Sequence, residues 1–82
     1  MIIVYTLEGC GSCEYLKDLL SNHNIEYEEV NIGQPGNIEV KKKMKEKGFK
    51  GVPIISINGE IYEGYNISNV KRILEINDYE ER

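Results

Sequence analysis

The sequence predicts an α/β fold in the order β-α-β-α-β-β-α, a mixed four-stranded sheet flanked by three helices. Three observations carry this expectation. Short β-branched runs alternate with stretches of helical spacing as far as Lys47. Asn58-Gly59 then separates two β-rich runs, the strongest short hairpin signal, because both turn residues adopt positive φ. A final amphipathic stretch closes the chain.

Each element follows from its residues. Ile2-Ile3-Val4-Tyr5-Thr6, bounded by Glu8-Gly9, reads as a buried strand. From Ser12 to about Asn24 the spacing is helical: Cys13, Leu16 and Leu20 share one face with Leu19 and Tyr15 beside it, and Glu14, Lys17, Asp18 and Ser21 point away. Asn22-His23-Asn24 ends that helix, and residues 26–32 alternate poorly, as an edge strand does. After the Gly33-Gln34-Pro35-Gly36 loop, Asn37 is placed to cap a helix running to about Lys47 and closed by Gly48, with Val40 and Met44 as i,i+4 partners and Ile38 nearby. Gly51-Val52-Pro53 leads into Ile54-Ile55-Ser56-Ile57, the hairpin turn, and Glu60-Ile61-Tyr62-Glu63. The last helix is expected from about Ser68 to Asn77, burying Val70, Ile73 and Leu74, with a frayed tail from Asp78 to Arg82. Two strand–helix–strand units imply right-handed crossovers, and the hairpin adds an antiparallel edge strand.

Composition bounds the function. Residues 1–82 are enough for a single domain near the lower limit for a core without staples. An apolar share of 40% fits a soluble globular chain, and no apolar stretch approaches a membrane span. Neither a basic n-region nor an h-region opens the chain, so no signal peptide is visible and the expected compartment is the cytoplasm. A formal charge of −4 argues against nucleic-acid binding.

The two cysteines, Cys10 and Cys13, flank Gly11-Ser12 where the first strand hands over to the first helix. In a reducing compartment so close a pair points to catalysis or metal binding rather than stapling. Cys10 falls at the helix cap, where unpaired N–H groups and the helix dipole stabilise a thiolate, which makes it the expected nucleophile. Glu8 and Glu14 partly oppose that charge and limit the acidity gained. Cys13, one turn further in, faces the core and is placed to attack a mixed disulfide from within. Two inert buried cysteines are the plainer alternative. A zinc site needs four ligands, and the sole histidine, His23, is at the far end of the helix. The redox reading fits best.

Taken in order, Val4-Tyr5-Thr6, Cys10-Gly11-Ser12-Cys13, Val52-Pro53 before a strand and hairpin, and Glu63-Gly64-Tyr65-Asn66 before the last helix make the chain resemble the glutaredoxins and glutaredoxin-like redoxins of the thioredoxin superfamily. The resemblance covers nearly the full length. It implies a thioredoxin-like fold and dithiol–disulfide exchange at Cys10 and Cys13, which alternate between two thiols and a redox-active disulfide. It also implies a cis Val52–Pro53 bond, with the Val52 backbone pairing to substrate like an added strand and Gly64 and Tyr65 bordering the substrate. Without the resemblance, Pro53 would read as an ordinary trans proline opening a strand.

Departures from the family pattern bear on the electron source. Leu7, Glu8 and Gly9 stand where glutathione-binding members carry a basic residue, Gly11-Ser12 replaces Pro-Tyr, and Glu63-Gly64-Tyr65-Asn66 replaces Gly-Gly-x-Asp. The chain thus looks more like redoxins that supply ribonucleotide reductase and are reduced by thioredoxin reductase, with glutathione as the alternative co-substrate. The expected partner is a disulfide-bearing protein, and the expected state is a monomer with no bound cofactor. An iron–sulfur cluster carrier is the rival function, since Gly11 removes a proline that discourages cluster assembly in this family; the altered glutathione contacts oppose it. Lys41, Lys42, Lys43, Lys45, Lys47 and Lys50 read as a solvated helix face, or as a dock for an acidic partner. The tyrosines read as packing residues with a polar tip, Tyr65 excepted.

Overall fold

β-Branched side chains dominate the two strands that become central, and polar residues fall on the two at the edges. The computed structural model describes residues 1–80. Its elements are β1 (Ile2–Thr6), α1 (Gly11–Asn22), β2 (Glu28–Asn31), a short 3-10 turn (Pro35–Asn37), α2 (Ile38–Glu46), β3 (Ile54–Ile57), β4 (Glu60–Glu63) and α3 (Ile67–Glu80). The sheet order is β2-β1-β3-β4. All four residues of β3 are buried, as expected of a central strand covered on both faces.

Ile2 and Val4 of β1 lie opposite Ile57 and Ile55 of β3, so these four share one face. There they meet Leu16 and Leu20 of α1, Ile25 of the loop after α1 and Ile73 of α3 to form the main core. Leu16 and Leu20 are fully buried, and truncating either to Ala would cost roughly 2–5 kcal/mol. On the other face Ile54 shares a small apolar recess with Ile32, Met44 of α2 and Phe49.

β1 pairs parallel with β2 but antiparallel with β3. The second strand–helix–strand unit is therefore not the parallel crossover expected from element order. β3 begins at the end of the sheet where β1 finishes, Tyr5 lying opposite Ile54. The connection from β2 through α2 thus leaves and re-enters the sheet at the same end. This brings Val52 and Pro53 beside the N-terminus of α1.

Local signals resolve mostly as expected. Asn24 (φ 56°) ends α1 in the left-handed region, and Asn58 (φ 49°) with Gly59 (φ 93°) forms the hairpin turn. Asn37 does not cap α2 with its side chain; its amide donates instead to the Asn31 carbonyl over 2.7 Å, tying the loop back to β2. Ile38, the first residue of α2, is exposed, whereas Met44 is buried. α1 starts one residue earlier and ends two earlier than the spacing suggests. α3 continues to Glu80, so the expected fraying is not seen as far as that residue, and residues 81–82 of the expected tail lie outside the described residues. Asn66 Oδ1 accepts from the Asn69 N–H over 2.9 Å, an N-cap that starts α3 at Ile67 rather than Ser68. No described helix is long and apolar enough to cross a membrane.

Candidate active site

Gly9 makes the turn out of β1 at φ +76°, a conformation that disfavours any residue with a Cβ. Cys10 follows in extended conformation as the N-cap of α1, a position usually held by Ser, Thr, Asp or Asn. Its sulfur fills the role of their side-chain oxygen: Cys10 Sγ accepts from the Cys13 N–H over 3.1 Å. The cap places the sulfur against the positive end of the helix dipole. Cys10 is half-buried, whereas Cys13 is 1% exposed. A disulfide joins the two sulfurs, with Cα atoms 5.3 Å apart.

The loop before β3 supplies the opposite wall. The Val52–Pro53 peptide is cis, and Cys10 Sγ lies 3.9 Å from the Val52 carbonyl oxygen. Pro53 is fully buried, and its carbonyl accepts from the Gly64 N–H over 2.8 Å. Gly64 has φ +99°, and a Cβ there would also press on the Asn66 side chain at 3.3 Å. Cys13, Cys10, Val52, Pro53 and Gly64 therefore form one continuous chain of contacts. Tyr65, 40% exposed, lies next in sequence and stacks on Tyr15 of α1 with ring centroids 6.4 Å apart.

Beside Val52 opens an apolar recess of about 90 Å³, walled by Leu7, Ile32, Met44, Phe49 and Ile54. Lys41, Lys45 and Lys50 also line it, so part of the lysine run borders the site; all six lysines of the run are exposed except the half-buried Lys41.

Behind β1, a charged cluster joins three elements. Thr6 Oγ1 donates to Glu29 Oε2 over 2.8 Å, and Lys17 Nζ lies 3.2 Å from the same oxygen and 3.0 Å from Glu14 Oε1. Hydrogen bonding to Glu14, then to Glu29, raises the Lys17 pKa above its ordinary value. Burial pushes the Glu29 carboxyl up, but the Thr6 hydroxyl and Lys17 ammonium together outweigh it and hold Glu29 below the ordinary value. The Tyr62 hydroxyl donates to Glu60, which raises its pKa, and its ring lies under the Arg72 guanidinium, 4.6 Å from the centroid.

Three contributors escape the sequence reading. Tyr15 is 67% exposed rather than set beside the core. The Glu63 carboxylate accepts from the backbone N–H groups of Lys50 and Gly51 over 2.7 and 2.8 Å. Asn69, 6% exposed, donates through Nδ2 to the carbonyls of Glu63 and Gly64 over 3.0 and 2.7 Å. The Asn66-x-x-Asn69 spacing carries a cap signal, whereas Glu63 shows in the sequence only as a departure from the family glycine, with nothing to point to the loop it holds.

The Glutaredoxin family model matches residues 2–62. The chain belongs to the glutaredoxin family. As a glutaredoxin with a linked Cys10–Cys13 pair, it is a thiol–disulfide oxidoreductase. It is 32% identical over 74 residues to the glutaredoxin-like protein NrdH of Lactococcus lactis, covering 89% of this chain and 99% of that one. Glutaredoxin 1 of Rickettsia prowazekii is 40% identical over 58 residues, 70% of this chain and 61% of that one. The fold matches that of the NrdH-redoxin from Escherichia coli with a TM-score of 0.77 at 21% identity, over 87% of this glutaredoxin and 91% of that chain.

Proposed function

We propose that this protein is a dithiol electron carrier in which Cys10 is the attacking thiol and Cys13 the resolving one. The observation that carries the assignment is the asymmetry of the pair: Cys10 Sγ caps α1 and is half-buried, while Cys13 is almost wholly buried. A thiolate is stabilised by the cap N–H and the helix dipole, and an outside disulfide can reach it. The Cys10 thiolate attacks one sulfur of the substrate disulfide. A mixed disulfide forms, and the departing sulfur leaves as a thiolate that takes up a proton. The Cys13 thiol loses its proton and its sulfur attacks Cys10 Sγ, releasing the second substrate thiol and closing the Cys10–Cys13 bridge. Two electrons and two protons pass to the substrate.

The substrate is a disulfide-bearing polypeptide that pairs with the backbone of Val52 as an added strand, with Pro53, Gly64 and Tyr65 around it. The 3.9 Å separation of Cys10 Sγ from the Val52 carbonyl supports this, since a cysteine on such a strand would meet the nucleophile. Likeness to the glutaredoxin-like protein NrdH along almost its entire length supports ribonucleotide reductase as the protein substrate. Thioredoxin reductase, rather than glutathione, would then return the bridge to the dithiol. The carrier works as a monomer in the cytoplasm.

Substitution at each sulfur tests the roles. Cys10→Ser abolishes reduction of every disulfide, and Cys13→Ser accumulates covalent mixed disulfides with substrate that dithiothreitol releases. Wild-type activity in Cys10→Ser with loss in Cys13→Ser would reverse the assignment.

A further inference from the structure

Residues 49–53 belong to no helix or strand, yet they carry the Val52 backbone that faces Cys10. Pro53 has no N–H to anchor them. Two hydrogen bonds fix the segment just upstream, and both end on one oxygen: Glu63 Oε2 accepts from the N–H groups of Lys50 and Gly51 over 2.7 and 2.8 Å. Downstream, the Gly64 N–H donates to the Pro53 carbonyl. Residues 50–53 are thus bracketed by a carboxylate on one side and an amide on the other, from two consecutive residues. Those two are held in turn by the buried Asn69 amide.

We propose that Glu63 is a positioning residue: its carboxylate sets the Val52 backbone in the orientation that a substrate polypeptide pairs with. Strand pairing demands a fixed direction of the carbonyl and N–H groups, and a tether to adjacent amides fixes it. Both bonds are charge-assisted, so they hold the loop more firmly than neutral acceptors would. The family pattern places a glycine where Glu63 stands, and a glycine has no side chain to make this contact. Glu63 reaches the loop without touching either sulfur, so it acts on the docking of polypeptides and leaves the thiol chemistry alone. The inference rests on the reading that substrate pairs at Val52.

The test uses a disulfide-bonded peptide, the same peptide N-methylated beside its cysteine so that it cannot pair, and a small aromatic disulfide. Each is offered to the wild type, Glu63→Gln and Glu63→Ala. In the wild type the N-methylated peptide has the higher KM. Glu63→Ala raises the KM of the unmodified peptide by about five- to tenfold, the scale of one to two hydrogen bonds returned to water, and erases the difference between the two peptides. Its kcat and its rate with the small disulfide stay at the wild-type level. Glu63→Gln, which keeps an acceptor oxygen, falls between. Amide exchange at Lys50 and Gly51 quickens in Glu63→Ala. A wild type that treats the two peptides alike overturns strand pairing at Val52, and this inference with it. A wild type that separates them, with a Glu63→Ala that still does so at unchanged KM, overturns the role of Glu63 alone. Equal loss with the small disulfide also overturns it, by showing that Glu63 supports the sulfur pair or the fold.

Discussion

Tyr15 on α1 and Tyr65 in the loop before α3 lie in a near-parallel stack, with 19° between ring planes. The contact joins the helix that carries the cysteine pair to the loop that carries Gly64. Both rings are open to solvent, so the coupling is at the lower end for aromatic pairs. A double-mutant cycle of Tyr15→Ala and Tyr65→Ala in urea unfolding should give a coupling of about 0.5 kcal/mol. Strict additivity would mean that each ring acts alone.

Asn69 contributes more. Removing its amide leaves the carbonyls of Glu63 and Gly64 without their donor. Asn69→Ala should destabilise the protein by about 1–3 kcal/mol, seen as a lower urea midpoint at unchanged m-value. Asn69→Asp should do no better at neutral pH, because an ionised carboxylate cannot donate. A near-neutral Asn69→Asp would show that the two bonds carry little.

The Thr6–Glu29–Lys17 cluster sets an acid limit. Glu29 is held below its ordinary value, so its contribution is present above the unfolded value of about 4.3 and is lost as pH falls through the lower folded value. Lys17 is raised, so its contribution is present below about 10.4 and disappears as pH climbs past that. Between those limits the cluster adds no pH dependence. Because the pair is partly solvated, its share is under about 1 kcal/mol. Lys17→Met should flatten the acid end of the stability curve, as measured by urea unfolding from pH 3 to pH 7.

The electron source can be compared directly, by offering the oxidised protein NADPH with thioredoxin reductase or with glutathione and its reductase. Glu8 is exposed next to Leu7, which lines the recess beside Val52. Repulsion between Glu8 and a glutathione carboxylate would cost on the order of 1 kcal/mol, about a fivefold loss in affinity. Together with the altered motif residues, this should favour thioredoxin reductase by about tenfold or more. Equal turnover would point to Lys41, Lys45 or Lys50 as compensating cations, and Glu8→Lys should then improve glutathione use further.

Much of this architecture can be read from residue patterns alone, for identifiable reasons. Helical spacing marks α1 and its buried face, Asn58-Gly59 marks the hairpin, and the cysteine pair marks the head of α1. The direction of β3 was not legible, because element order is the same whether a connection crosses the sheet or returns to one end. Asn37 looked like a cap, yet a polar side chain in a loop can satisfy a strand carbonyl equally well. The cis Val52–Pro53 bond was visible only through family likeness. The tether from Glu63 depends on two backbone amides thirteen and twelve residues away, a relationship that no local pattern encodes.

A sulfur atom that caps a helix couples folding to electron count. The bond from the Cys13 N–H to Cys10 Sγ strengthens when the acceptor becomes a thiolate. Folding and oxidation form a closed thermodynamic cycle, so free energy that the fold gains in the reduced state is subtracted from the tendency of the pair to form a disulfide. A substitution that stabilises the first turn of α1 more in one redox state than in the other therefore moves the reduction potential without touching either sulfur. The exchange rate is about 30 mV for each ~1.4 kcal/mol by which the two redox states differ in stability. Charge at Glu14, in the first turn of α1, thus becomes a dial on oxidising strength, because a thiolate at the cap feels it and a neutral disulfide does not, and calorimetry of the two redox forms would read it as faithfully as an electrode.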